Sequence, residues 1–175
     1  TGRKRIPGGK DLLQDRYGIV YKLSLHGEPF PVDGPVKGPE DLKNFKVMIP
    51  DPADFIMLKF VRGTLPERAV LLTLPGTFRF SWSVMGAMER LLLAYIEEPE
   101  FALDLARVTT DFAKGVVEAG IREGAEVIIL EGDLAHKTTT LMSPLQYRKF
   151  LKPFHREIVE AAHRGGVPII KHTDG

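Results

Sequence analysis

From Arg68 onward, short runs of wholly apolar residues alternate with longer amphipathic stretches. The first run, RAVLLTL (Arg68–Leu74), is bounded by Pro66 and by Pro75-Gly76, the profile of a strand buried on both faces. WSVMGAMERLLLAYIEE (Trp82–Glu98) then carries helical spacing. A second helix is predicted from Pro99, because Phe101, Leu105, Val108, Phe112, Val116 and Ala119 recur every three or four residues as one stripe. Gly124 closes it, and AEVIIL (Ala125–Leu130) follows as another apolar strand. After the loop EGDLAHKTTTLM, Ser143, Pro144 and Gln146 stand at the N-cap, first-turn and capping-box positions of a helix. That helix sets Tyr147, Phe150, Phe154, Ile158 and Ala161 on one face, with a bend expected near Pro153. Gly165-Gly166 ends it, and VPIIKH (Val167–His172) is the third apolar strand.

The preceding part is less regular. PGGK, HGEPFPVDGPVKGPEDL and IPDPADF are crowded with Gly, Pro and Asp, the residues of turns and extended segments. Tyr17–Leu25 alternates loosely enough for one short strand, and Asp51–Gly63 holds a short helix capped by Asp51 or Asp54. No repeat is present. Strand, helix, strand, helix, strand, with apolar strands throughout, means parallel strands joined by helical crossovers. Doubly wound sheets and (β/α)8 barrels are both built this way, and both place ligand chemistry at the carboxyl ends of the strands.

Three loops therefore stand out. PGTFRFSW brings Thr77, Arg79, Ser81 and Trp82; EGDLAHK brings Glu131, Asp133, His136 and Lys137; HTDG brings His172 and Asp174. Carboxylates and imidazoles gathered in one cleft can exchange protons or hold a divalent metal. Each residue also has a plainer reading. Asp133 can cap a turn, Glu131 can pair with a nearby Lys, and His172 can bond backbone at a strand end. Asp174 precedes Gly as turn residues do. Arg79 and Trp82 can be packing at a helix start, and His136 and Lys137 solvated loop residues. His26, His155 and His163 carry no assigned role. The coincidence of three loaded tips is the stronger sign.

The composition narrows the chemistry. With 24 basic against 23 acidic residues, the net charge is +1, which argues against a general nucleic-acid or membrane-surface binder. No cysteine is present, so neither a disulfide framework nor a thiol nucleophile is available in these 175 residues. No apolar run approaches the roughly 18 residues of a membrane span, and TGRKRIPGGK lacks the apolar stretch of a signal peptide. A cytoplasmic protein is expected, and an incomplete one.

The segments LLTLPGTFRFSWSVMG, EEPEFALDLA, GAEVIILEGDLAHKTTTLMSPLQYRKFLKPFHREIV and PIIKHTDG resemble the uroporphyrinogen decarboxylase superfamily. DRYGIVYKL and DGPVKGPEDL are similar to its upstream segment. The resemblance implies a (β/α)8 TIM barrel, which needs about 250 residues. Residues 1–175 would then be part of a single barrel domain incomplete at both ends, with 1–65 as its loop-rich N-terminal segment and 66–175 as its βα units. A split barrel would expose a strand edge and associate or precipitate.

The superfamily holds the haem-pathway decarboxylase and cobalamin-dependent methyltransferases. True decarboxylases carry a Phe-Asp-Ser-Trp-Ala-Gly type motif where this chain has Leu130-Glu131-Gly132-Asp133-Leu134-Ala135, without the Ser-Trp. The methyltransferase branch often carries His-x-Cys, binding zinc, where this chain has His172-Thr173-Asp174. The His is kept and the Cys is an Asp, a harder ligand than thiolate.

The resemblance implies a corrinoid-linked methyltransferase. In it Asp133 and Glu131 orient substrate or donate protons, and His172 and Asp174 bind a metal, zinc being the candidate, or polarise the acceptor. Arg79, Trp82, Thr77 and Lys137 line the substrate site. Its partners would be a corrinoid protein or tetrapyrrole, and a thiol or tetrahydrofolate as methyl acceptor. The alternatives are porphyrinogen decarboxylation, with no cofactor, and a non-catalytic tetrapyrrole- or corrinoid-binding module.

Overall fold

The computed structural model describes residues 2–25, 27–47 and 50–174. They form a mixed α/β structure of seven α-helices and three small sheets among the described residues, grouped into two compact units.

Unit 1 comprises Thr1–Val47 and Phe80–Leu105. Its first part is an antiparallel meander of β1 (Lys4–Arg5), β2 (Leu12–Gln14), β3 (Val20–Lys22) and β4 (Phe30–Asp33). The pattern predicts only the third of these. Strands of two to four residues are too short to display alternation, and turn residues fill the gaps between them. The Asp15 carboxylate organises the β2–β3 turn, accepting from the Tyr17 and Ile19 amides at 2.9 and 3.0 Å and from the Tyr21 hydroxyl at 3.0 Å. The short helix α1 (Pro39–Asn44) follows.

Unit 2 comprises Met48–Arg79 and Ala106–Gly175. A single 3-10 turn (Pro52–Phe55) closed by a reciprocal Asp51–Asp54 capping box leads into α2 (Ile56–Thr64), as the sequence predicts. β5 (Leu71–Pro75) follows in unit 2; along the chain α3 (Thr77–Met85) begins there and continues in unit 1, α4 (Met88–Glu97) belongs to unit 1, and α5 (Pro99–Arg122) begins in unit 1 and continues in unit 2. The region expected as one helix from Trp82 to Glu98 is thus two, and the first begins at Thr77. PGTFRFSW is therefore largely helix rather than loop.

The break falls at Gly86, within unit 1, which takes φ +79°. A side chain there would put its Cβ 2.5 Å from the Asp33 backbone. Gly34 faces the same turn, where a Cβ would lie 2.1 Å from the Val84 carbonyl oxygen. The Val36 amide donates to that same carbonyl at 3.0 Å, so the end of β4 is seated directly on the end of α3. Around this junction Trp82, Val84 and Met85 are buried with Ile19 and Val36. Phe30 and Trp82 lie 5.6 Å apart between ring centroids.

Beyond α5, unit 2 continues with β6 (Val127–Glu131), the small hairpin β7 (Ala135–His136) and β8 (Thr139–Thr140), α6 (Pro144–Phe150), α7 (Lys152–Arg164) and β9 (Ile169–Lys171). Ser143 caps α6 through the expected box with Gln146. The bend expected near Pro153 is a complete break at Leu151 (φ −128°, ψ −45°), and Pro153 lies in the first turn of the new helix, where its missing N–H costs nothing.

β5, β6 and β9 make a parallel sheet with β6 in the centre, Leu74 and Pro75 beside Leu130 and Glu131, and Leu130 beside Lys171. This is the crossover topology that the apolar runs imply. Its core joins Leu74, Ile128 and Leu130 to Phe55, Leu58, Ala113, Val117, Ile158, Ala161 and Ala162 from the turn and from α2, α5 and α7. The strands are not buried on both faces as expected. The helices cover one face, while Leu71 and Ile170 on the flanking strands remain 49% and 52% exposed. No described helix is long and apolar enough to cross a membrane.

Candidate active site

All three parallel strands of unit 2 end at the same edge, and the loops behind β6 and β9 meet there. Glu131 closes β6 with an exposed side chain, and its carbonyl accepts from the Gly76 amide at 2.7 Å. Gly132 then takes φ +145°, a backbone conformation that other residues rarely adopt, and passes over Arg79, whose Cβ would be 3.4 Å from a Cβ at this position. This turn releases Asp133 toward the tip of β9.

Asp133 and His172 face each other, with Oδ1 of the carboxylate 3.7 Å from Nδ1 of the imidazole. Both side chains are partly open to solvent, at 44% and 59% exposure. Backbone bonds hold the pair in place. The Asp174 amide donates to Asp133 Oδ1 at 3.1 Å, the Leu134 amide to the Thr173 hydroxyl at 2.9 Å, and the His172 amide to the Leu130 carbonyl at 3.0 Å.

Lys171 adds a third tie. Although the residue is exposed in area, its ammonium folds back on the loops, donating to the Gly132 carbonyl at 2.6 Å and to the His172 carbonyl. Partial burial lowers its pKa, opposed by the charges of Asp133 and Glu131. The sequence pattern assigns no role to Lys171 or Thr173. The one available signal is that a lysine closing an apolar strand must turn its ammonium toward polar groups at the strand end.

Of the other expected site residues, Thr77 is fully buried and its hydroxyl lies 2.7 Å from that of Thr110. Arg79 is half-buried beneath Gly132. Lys137 and His136 are exposed on the β7–β8 hairpin. Trp82 belongs to unit 1 and is buried beside Phe30. The structure thus brings Asp133, Glu131, His172 and Asp174 to one edge, with Arg79 below. His26 and Gly175 lie outside the described residues.

Zinc in a protein takes about four ligands. Among the described residues no three His, Asp or Glu side chains gather as a metal site requires, and Asp133 Oδ1 already receives the Asp174 amide. His172 and Asp174 alone do not fit a zinc ion. Beside Asp133, Leu134, Thr140, Met142, Pro144 and Tyr147 line a cavity of about 260 Å³. Binding sites for drug-sized ligands run from about 300 to 1,000 Å³. A corrin macrocycle is larger still and does not fit within this cavity.

Behind the site, His155 on α7 is buried against the Tyr147 ring, 6.0 Å between centroids. Burial, aided by the Lys171 charge, pushes its pKa down to about 4. The unfolded chain binds a proton here below its ordinary 6.5, while the folded chain stays neutral until about pH 4. This contribution is therefore constant above pH 6.5 and falls as the pH drops toward 4, by up to about 3 kcal/mol. Urea midpoints at pH 7 and pH 4.5 check it: His155→Gln should remove most of the difference between them.

The sequence profile of the uroporphyrinogen decarboxylase (URO-D) family matches residues 26–175. The chain belongs to this family. No curated protein matches it. Among solved structures, a methyltransferase from Methanosarcina mazei is similar in fold, with a TM-score of 0.68 and 19% sequence identity. The similarity covers 85% of this chain and 44% of the methyltransferase, so the chain spans less than half of that protein's length.

Proposed function

We propose that the protein is a methyltransferase of the uroporphyrinogen decarboxylase family, built on a (β/α)8 barrel. It exchanges a methyl group between a corrinoid carried by a partner protein and an acceptor, a thiol or tetrahydrofolate. The observation that carries this reading is the Asp133–His172 pair, 3.7 Å apart at the carboxyl ends of adjacent parallel strands. A thiol or N–H acceptor that takes up a methyl group must lose a proton as the new S–C or N–C bond forms. In the reverse direction, the departing heteroatom must regain one. In this reading His172 moves that proton, and Asp133, 3.7 Å away, orients the imidazole and balances its charge. The absence of the decarboxylase Ser-Trp after Asp133 and the fold likeness to a methyltransferase support the same reading.

Porphyrinogen decarboxylation is the second reading. It is favoured by one feature: the Asp133 carboxylate is held by the Asp174 amide yet remains accessible, as needed to face a pyrrole ring that becomes cationic before its carboxylate leaves. The test supplies methylcobalamin with a thiol or tetrahydrofolate acceptor, and uroporphyrinogen separately. Methylated acceptor is expected. Consumption of uroporphyrinogen with neither acceptor methylated would overturn the methyl-transfer reading in favour of decarboxylation.

A further inference from the structure

The cavity next to the acid–base pair has a composition unlike its surroundings. The loop behind β6 turns from Asp133 to Leu134, and Leu134 forms one wall together with Thr140 of β8, Met142 and the first turns of α6 (Pro144, Tyr147). None of these side chains carries charge at neutral pH. Met142 is buried, and its flexible thioether can adapt to the outline of a ring. The only side-chain polar groups in the lining are the Thr140 and Tyr147 hydroxyls. A second cavity of about 270 Å³ makes the contrast plain. It is lined by Glu118, Arg122 and Arg164 among others, at the ends of α5 and α7 that lead into the strands, away from Asp133.

Volume and lining together select the occupant. A dry cavity of about 150 Å³ walled by aliphatic and aromatic side chains is enough to take up benzene. About 260 Å³ holds one six-membered ring with a small substituent, and no tetrapyrrole. An ionised carboxylate seated against this apolar lining would give up part of its hydration and meet no cation among the lining residues. We infer that this cavity is a specificity pocket that receives an uncharged, single-ring group of the substrate and seats it one residue from Asp133. The inference deepens the methyl-transfer reading and rests on it for the word substrate, whereas the binding itself does not depend on turnover.

Phenol and benzoate are the probes, sharing one ring and differing in charge at pH 7. With methyl-labelled Met and Leu, phenol should shift the Met142 and Leu134 methyl resonances with a dissociation constant of about 1–10 mM, the affinity expected of a fragment this small. Benzoate should bind at least about tenfold more weakly. Met142→Trp should fill the cavity and abolish the phenol shifts. If that variant fails to fold, the comparison of phenol with benzoate on the wild-type protein decides alone. Phenol leaving both resonances unmoved, or benzoate binding equally well, would overturn the inference. Phenol binding without any methyl transfer would support the pocket and count only against the proposed reaction. Methyl transfer without phenol binding would overturn the pocket and leave the reaction standing.

Discussion

Replacing Asp133 with Asn should lower the rate of methyl transfer by about 10²–10⁴-fold, the range that a positioned proton-transfer group contributes, because His172 loses the carboxylate that orients it. The substitution is chosen because it changes charge and little else. The amide oxygen of Asn still accepts from the Asp174 N–H, now 3.1 Å from Oδ1, so the two loops should stay together. What disappears is the negative charge beside His172 Nδ1. The loss should fall on kcat rather than on KM, because Asp133 acts on the proton transfer and not on the binding of the acceptor. Glu131→Gln is the matched control. Its carboxylate is exposed, and the structural duty of the residue is performed by its carbonyl, which accepts from the Gly76 amide. A fall of less than about tenfold is expected there. Equal losses in the two variants would show that the pair has no special standing.

Gly34→Ala should destabilise unit 1 by about 4 kcal/mol, at the upper end of what single substitutions do. The added methyl would sit 2.1 Å from a carbonyl oxygen, in a place where the obstacle is backbone and cannot swing aside. Relief requires β4 to lift from the end of α3, which would also break the bond between Val36 and Val84. Gly63→Ala supplies the contrast. It lies within α2 with nothing inside 4 Å of a Cβ, so alanine should stabilise that helix by about 0.5–1 kcal/mol. Denaturant midpoints of the two variants should move in opposite directions. A Gly34→Ala midpoint close to wild type would mean that the contact of β4 with α3 is looser than a 2.1 Å approach requires.

The parallel sheet and its helices are legible in the sequence because each strand is a continuous apolar run and each helix has a stripe and a cap. Ser143, Pro144 and Gln146 mark the start of α6 to the residue. Of the antiparallel meander only β3 is legible. Its strands, two to four residues long, span at most two periods of alternation, and the Asp15 carboxylate, rather than a recognisable turn dipeptide, shapes one of its turns. The helix break at Gly86 is hidden for a related reason. A glycine inside a helical stripe is ordinarily tolerated, and only the nearness of Asp33, more than fifty residues earlier, forces the left-handed backbone.

The candidate site divides along the same line. Asp133 and His172 follow from the rule that ligands collect at the carboxyl ends of parallel strands. The same rule points to Thr77, but Thr77 is the first residue of a helix, and its hydroxyl turns inward to Thr110. Trp82 stands two turns of sequence from a strand end, yet packs against Phe30. Pattern identifies which loops reach an edge. It does not say which way a side chain at the start of a helix will point.

The bonds that run from Lys171, Thr173 and Asp174 to Gly132, Leu134 and Asp133 make the two strand tips a single mechanical piece. A loop grafted from a relative behind β6 alone would arrive without its counterparts behind β9, and the acid and the imidazole would lose their common frame. Variation in this protein's chemistry would have to come in matched pairs of loops, so the unit that can be exchanged between relatives is the pair and not the individual residue.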